Sequence, residues 1–133
     1  AEVWATLRTR RDDHMADLCE AAENLAREIA AQEKLSVRFD YHEIFVASVN
    51  ASEAVQILRT ALDAEGIRHG EDGLPMRASE DFGIFGHKAA SAMFFLGAGE
   101  GYPSLHNPDY DFPDDLIPIG SRILMRAAHE VLG

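Results

Sequence analysis

Met15, Leu18, Ala22, Leu25 and Ile29 recur at spacings of three and four, with Cys19 and Ala26 beside them. This spacing predicts a long helix over 13–34 with one apolar stripe. On either side of it the period changes to two. Val3, Ala5 and Leu7 alternate with Trp4, Thr6 and Arg8, and Leu35, Val37, Phe39 and Tyr41 alternate with Ser36, Arg38, Asp40 and His42. Alternation of this kind is strand period. A long amphipathic helix between two strands has to bury its stripe on a sheet, so the pattern predicts one half of a small α+β sandwich. Asp12 and Asp13 are expected to supply the N-cap and an acidic first turn.

The pattern shifts near 46–51, where a module boundary is expected: one portion over 1–48 and a second over 49–133. Asn50 is placed to cap a helix that carries Ala54, Val55, Leu58, Ala61 and Leu62 on one face and stops at Gly66. "RHGEDGLP" reads as a loop or a short irregular strand. "SEDFGIFGHKAA" reads as a short helix opened by Ser79 and broken around Gly86. "AMFFLGAG" is a continuous apolar run, the signature of a strand buried on both faces. A loop over 99–115 follows, and then a helix opened by Pro118 with Ile119, Ile123, Leu124, Ala127 and Val131 on one face.

Composition excludes some partners. The formal net charge is −11, which repels nucleic acid and anionic membrane surfaces, so neither is expected to bind. No apolar run approaches the roughly 20 residues that a membrane span needs. Cys19 is the only cysteine, which rules out an internal disulfide and suits a cytoplasmic location. The chain has no initiator methionine and opens already in strand period, as expected of an excised segment, a processed product or a fragment of something longer.

Three places could carry chemistry. His106 lies in "SLHNPDYDF", a loop directly after the apolar run, and ligand sites in α/β proteins collect at such strand ends. Imidazole is the commonest metal ligand, and Asp109 and Asp111 stand close enough in sequence to receive its second ring proton. The plainer alternative is a histidine held by turn chemistry, with Asn107 and Pro108 shaping the loop. Spacing alone favours the turn, because no second ligand stands at a diagnostic interval. At "ASEDF", Ser79, Glu80 and Asp81 make a good helix start, and the same backbone N–H groups could hold an anion. Arg8 is either a solvated arginine or a clamp for a carboxylate. Cys19, on the apolar stripe, reads as core. The cluster Asp109, Asp111, Asp114 and Asp115 lacks calcium-loop spacing. The glycines of "GAGEG" lack the dinucleotide fingerprint.

"SEDF", "FFLGAGE" and "LHNPDYDFPDDLIPIG" stand in the order and spacing of the carboxy-terminal part of the M20 metallopeptidases and amidohydrolases. Upstream, "ATLRT", the long helix, "HEIF" and "SVN" resemble the second half of that family's lid domain. The closest resemblance is to the branch of hippurate hydrolases and other N-acyl-amino-acid amidohydrolases. Ala78 stands where the family often has glycine. The resemblance implies an α+β fold: the second half of a ferredoxin-like lid and dimerisation domain over 1–48, then the carboxy-terminal part of a metallopeptidase α/β catalytic domain over 49–133. It implies that His106 is the last ligand of a centre of two divalent metals (zinc, manganese, cobalt or nickel), with Asn107 and Asp109 supporting its loop. It implies that Arg8, Ser79 and Glu80 face the substrate, a small N-acyl amino acid or a small peptide, in a homodimeric enzyme.

The family's general base and other metal ligands belong to a region upstream of Ala1 and have no match here. One histidine does not build a metal site, so this piece alone is expected to bind no metal and to be inactive. The rival reading is a binding or dimerisation module that kept the fold without the catalysis.

Overall fold

The structure is a computed structural model that describes residues 1–133. Its regular elements are all helical: α1 (Asp12–Gln32), α2 (Ser52–Ala64), a 3-10 helix (Asp81–His87) and α3 (Leu116–Leu132). The chain divides into two units, Ala1–Ser48 with Gly73–His87, and Val49–Asp72 with Lys88–Gly133.

The α+β expectation, with its ferredoxin-like lid half and α/β catalytic portion, is overturned: no residue lies in a strand and there is no sheet. Residues 1–9, 35–42 and 91–98 carry no regular structure. Alternation reports that neighbouring side chains meet different surroundings. A strand also needs a partner whose N–H and C=O groups complete a ladder, and none of these segments has one. Val3 is 92% and Trp4 81% exposed. "AMFFLG" is not buried on both faces, since Phe95 is half exposed.

In the first unit α1 follows its periodicity closely. Its first turn is acidic, but Arg11 holds the N-cap position and no side chain caps the helix. Asp12 and Asp13 bond elsewhere. Asp12 Oδ1 accepts from the Ala47 N–H at 2.7 Å, and Asp13 pairs with Arg11, which pulls its carboxyl down to about 2. The helix ends as Lys34 N–H donates to Ala31 O and Leu35 N–H to Ala30 O at 2.8 Å, with Lys34 in the left-handed region at φ 54°. This is a Schellman ending with lysine at the usual glycine position. Segment 35–43 is tied to α1 by side chains. The Arg27 guanidinium lies 5.0 Å from the Phe39 ring centre, and Tyr41 Oη donates to Glu23 Oε1 at 2.8 Å.

The Tyr41–Glu23 bond sets a pH window. Glu23 holds the Tyr41 hydroxyl proton and pushes its pKa up to about 12. Tyr41, and then Arg27, hold the Glu23 carboxyl below its usual range. The glutamate's contribution is present above the ordinary carboxylate pKa and lost as pH falls through its lowered value. The tyrosine's is complete below its ordinary pKa of about 10 and lost as pH rises toward 12. Tyr41→Phe is therefore expected to cost stability between pH ~5 and ~9, with the deficit shrinking beyond either end. Urea melts at low, neutral and high pH measure it, and a deficit constant with pH would refute the bond.

In the second unit α2 packs against α3, and the buried hydrophobic residues Ala61, Leu62 and Ile123 lie on these two helices. Burying an isoleucine such as Ile123 fully is worth about 1.5–3 kcal/mol. Gly66, at φ 66°, ends α2 as Ile67 N–H reaches Leu62 O at 2.9 Å. Asn50 does not cap α2. Its carboxamide pairs with the Met93 backbone in both directions, and Ala51 holds the N-cap position. No helix in either unit is long and apolar enough to cross a membrane.

Candidate functional site

The His106 loop is two turns in succession. Asn107 N–H donates to Ser104 O at 3.1 Å, and Tyr110 N–H donates to Asn107 O at 3.0 Å. The first turn places His106 at its third position with φ 69°. That left-handed conformation is one that glycine or asparagine adopts most easily in a turn. The second turn has Pro108 at its second position, where the ring's fixed φ suits the geometry. Asn107 thus joins the two turns through its own backbone. His106, Asn107 and Asp109 are all exposed.

Non-glycine residues held at positive φ concentrate at functional sites, where the surrounding structure sustains the strain. The His106 ring does not pair with Asp109 or Asp111. The histidine that does engage a carboxylate is His69, whose Nε2 lies 3.0 Å from Asp63 Oδ1.

Ser79 and Glu80 belong to the other unit. Both are exposed and precede the 3-10 helix, which begins at Asp81 and not at Ser79. The Phe82 and Phe85 rings meet tilted at 51°, with 5.3 Å between their centres. Gly83 is buried, and a Cβ there would stand 2.7 Å from Val46 O and 2.9 Å from Ala47 O. The 3-10 helix that begins within "SEDF" therefore lies directly on the 46–47 backbone, and only a residue without a side chain permits that approach. Arg8 is exposed and forms no ion pair, whereas its neighbour Arg11 is tied to Asp13.

The sequence reading missed three positioning groups: Asp12 on Ala47, Gly83 on Val46 and Ala47, and Asn50 on Met93. A glycine directly after "SEDF" was the one local signal for the second. Asn50 and Asp12 both looked like caps, because the same side chains serve caps and distant backbone alike.

No three His, Cys, Asp or Glu side chains come together in an arrangement that could hold a metal ion. The donors of this chain do not fit a complete metal centre. Cys19, expected in the core, is only half-buried, and α1 carries no buried residue.

Similarity to known proteins bears on the same residues. The family model for peptidase family M20/M25/M40 matches residues 5–130. "Putative amidohydrolase YhaA" of Bacillus subtilis (strain 168) is 27% identical over 123 residues, covering 88% of this chain and 31% of that protein. The chain thus spans less than a third of the length of that relative. No solved structure matches. The family match takes in Arg8, the Ser79–Glu80 loop and the His106 loop, and the chain belongs to peptidase family M20/M25/M40.

Proposed function

We propose that this chain is the carboxy-terminal portion of a metal-dependent amidohydrolase that cleaves the amide bond of small N-acyl amino acids. The observation that carries the reading is His106, an exposed histidine held at positive φ in the first of two successive turns within the family match. Exposure leaves its ring nitrogens free to meet a partner, and the turns fix where the ring is presented. In this reading His106 is one ligand of a centre whose other donors come from outside this chain, since the chain's own side chains do not assemble one. Arg8 offers a guanidinium not committed to any carboxylate of this chain, suited to a bidentate bond with the substrate carboxylate. Ser79 and Glu80 contribute polar groups on the loop that Gly83 seats. The name of the Bacillus relative supports amide hydrolysis as the reaction class.

The complete enzyme is proposed to be a homodimer. Val3, Trp4, Leu25 and Ile29 leave apolar surface exposed in the first unit, and faces of this kind favour burial against a second copy.

The test compares the complete polypeptide with the 133-residue chain alone. Both are assayed on hippurate-like substrates with zinc, manganese, cobalt or nickel supplied, and light scattering gives the assembly state of each. Turnover is expected from the complete polypeptide, as a dimer, and not from the chain alone. Robust turnover by the chain alone would overturn its reading as a portion. Absence of hydrolysis by the complete polypeptide on every acyl substrate would favour the non-catalytic module. A monomer would remove the dimer.

A further inference from the structure

The segment 88–98 leads into the loop that carries His106, yet it has no ladder and no helix to hold it. Its attachments to the rest of its unit are few. Ala51 N–H donates to Ser91 O at 2.8 Å. Asn50 Nδ2 donates to Met93 O at 2.9 Å, and Met93 N–H donates to Asn50 Oδ1 at 2.9 Å. No other hydrogen bond ties this segment down. Three residues further on, Leu96 Cδ2 lies 3.7 Å from where a Cβ of Gly120, on α3, would stand. The next bonds along the chain are the turn bonds of the loop itself, from Tyr102 to Gly99 and from Asn107 to Ser104.

We infer that Asn50 is a positioning residue for the His106 loop. Its carboxamide takes the part of a missing neighbouring strand, offering one donor and one acceptor to a single backbone residue. That two-point grip fixes both the position of Met93 and the rotation of its peptide planes, which one bond would not do. Because Asn50 directly precedes the N-cap of α2, the grip references the segment to the α2–α3 pair, the best-buried part of its unit. With Met93 gripped and Leu96 set against α3, the short run into the two turns starts from a fixed place. His106, already held at positive φ, is then presented reproducibly. The inference rests on the proposed role of His106, and its test separates the two.

The experiment uses the complete enzyme with Asn50→Ala, Asn50→Asp and His106→Ala. Amide exchange is read at Met93 and at Asn107, the amide that closes the His106 turn, alongside kcat and KM. Asn50→Ala is expected to speed exchange at Met93 and Asn107 roughly tenfold or more, and to lower kcat about tenfold with KM held within about twofold. Faster exchange at Met93 alone, with Asn107 and kcat unchanged, would overturn the inference and leave Asn50 a local fastener. If Asn50→Ala unfolds, shown by fast exchange throughout, Asn50→Asp decides. It has the same shape and keeps the acceptor, but sets an oxygen against Met93 O. Faster exchange at Asn107 with lower kcat in that variant supports positioning, and wild-type values in both refute it. Full activity in His106→Ala would defeat the proposed site, while the Asn107 exchange would still decide whether Asn50 holds the loop.

Discussion

Replacing His106 with glycine in the amidohydrolase proposed above is expected to abolish amide hydrolysis while leaving the fold as stable as before or slightly steadier. The two effects have separate origins. At φ 69° a histidine bears a backbone cost of about 1–2 kcal/mol that glycine escapes, partly offset by the greater freedom of glycine in the unfolded chain. Thermal melting should therefore show little change or a small gain. His106→Ala keeps the strain and should melt slightly lower than the glycine variant. Activity should fall in both by at least about a hundredfold, since even residues that merely support a ligand cost 10–100-fold when lost. The pair of variants settles the alternative that spacing leaves open. If the histidine serves only the turn, glycine should serve at least as well, and a His106→Gly enzyme with near wild-type rates would remove His106 from the site.

Gly83→Ala is expected to destabilise the fold. The new Cβ would meet Val46 O at 2.7 Å, Ala47 O at 2.9 Å and the Ala47 carbonyl carbon at 3.0 Å. All three are backbone atoms, so no side chain can rotate out of the way. The 46–47 backbone is also held from another side, by the Asp12 carboxylate on the Ala47 N–H. Relief requires the 3-10 helix to lift from its seat, at about 1–3 kcal/mol by analogy with overpacked cores. Reduced freedom of the unfolded chain returns about 0.4–1 kcal/mol, so the net change remains a loss. Gly97→Ala is the control, because nothing stands within 4 Å of its Cβ position. Denaturant unfolding of the two variants side by side measures the difference. Equal midpoints would show that Gly83 does not lie against 46–47. In the proposed amidohydrolase the same lifting should raise KM, since Ser79 and Glu80, proposed to face the substrate, precede this element.

The three α-helices were legible because a helix makes its hydrogen bonds within its own segment. Met15, Leu18, Ala22, Leu25 and Ile29 report α1 whatever surrounds them, and Gly66 reports the end of α2 because a left-handed closing residue is a local need. The family was legible too, since "SEDF" and "LHNPDYDF" carry their order and spacing in the chain itself. Strand period was a weaker guide. Val3 to Arg8 and Leu35 to His42 alternate as strands do, but a strand exists only with a partner, and this chain supplies none.

Side-chain roles divided along the same line. Asn50 and Asp12 each sit beside a helix start, where local rules make them caps. The tertiary structure instead brings Met93 within reach of the first and Ala47 within reach of the second. Gly83 reads as one more glycine until the 46–47 backbone is found 2.7 Å from its missing Cβ. The sequence by itself thus determined what depends on neighbours along the chain: the α-helices, the turn residues and the family motifs. Only the tertiary structure decided which distant backbone each polar side chain holds, because those partners lie 35 and 43 residues away, and no local pattern encodes the approach of segments so far apart.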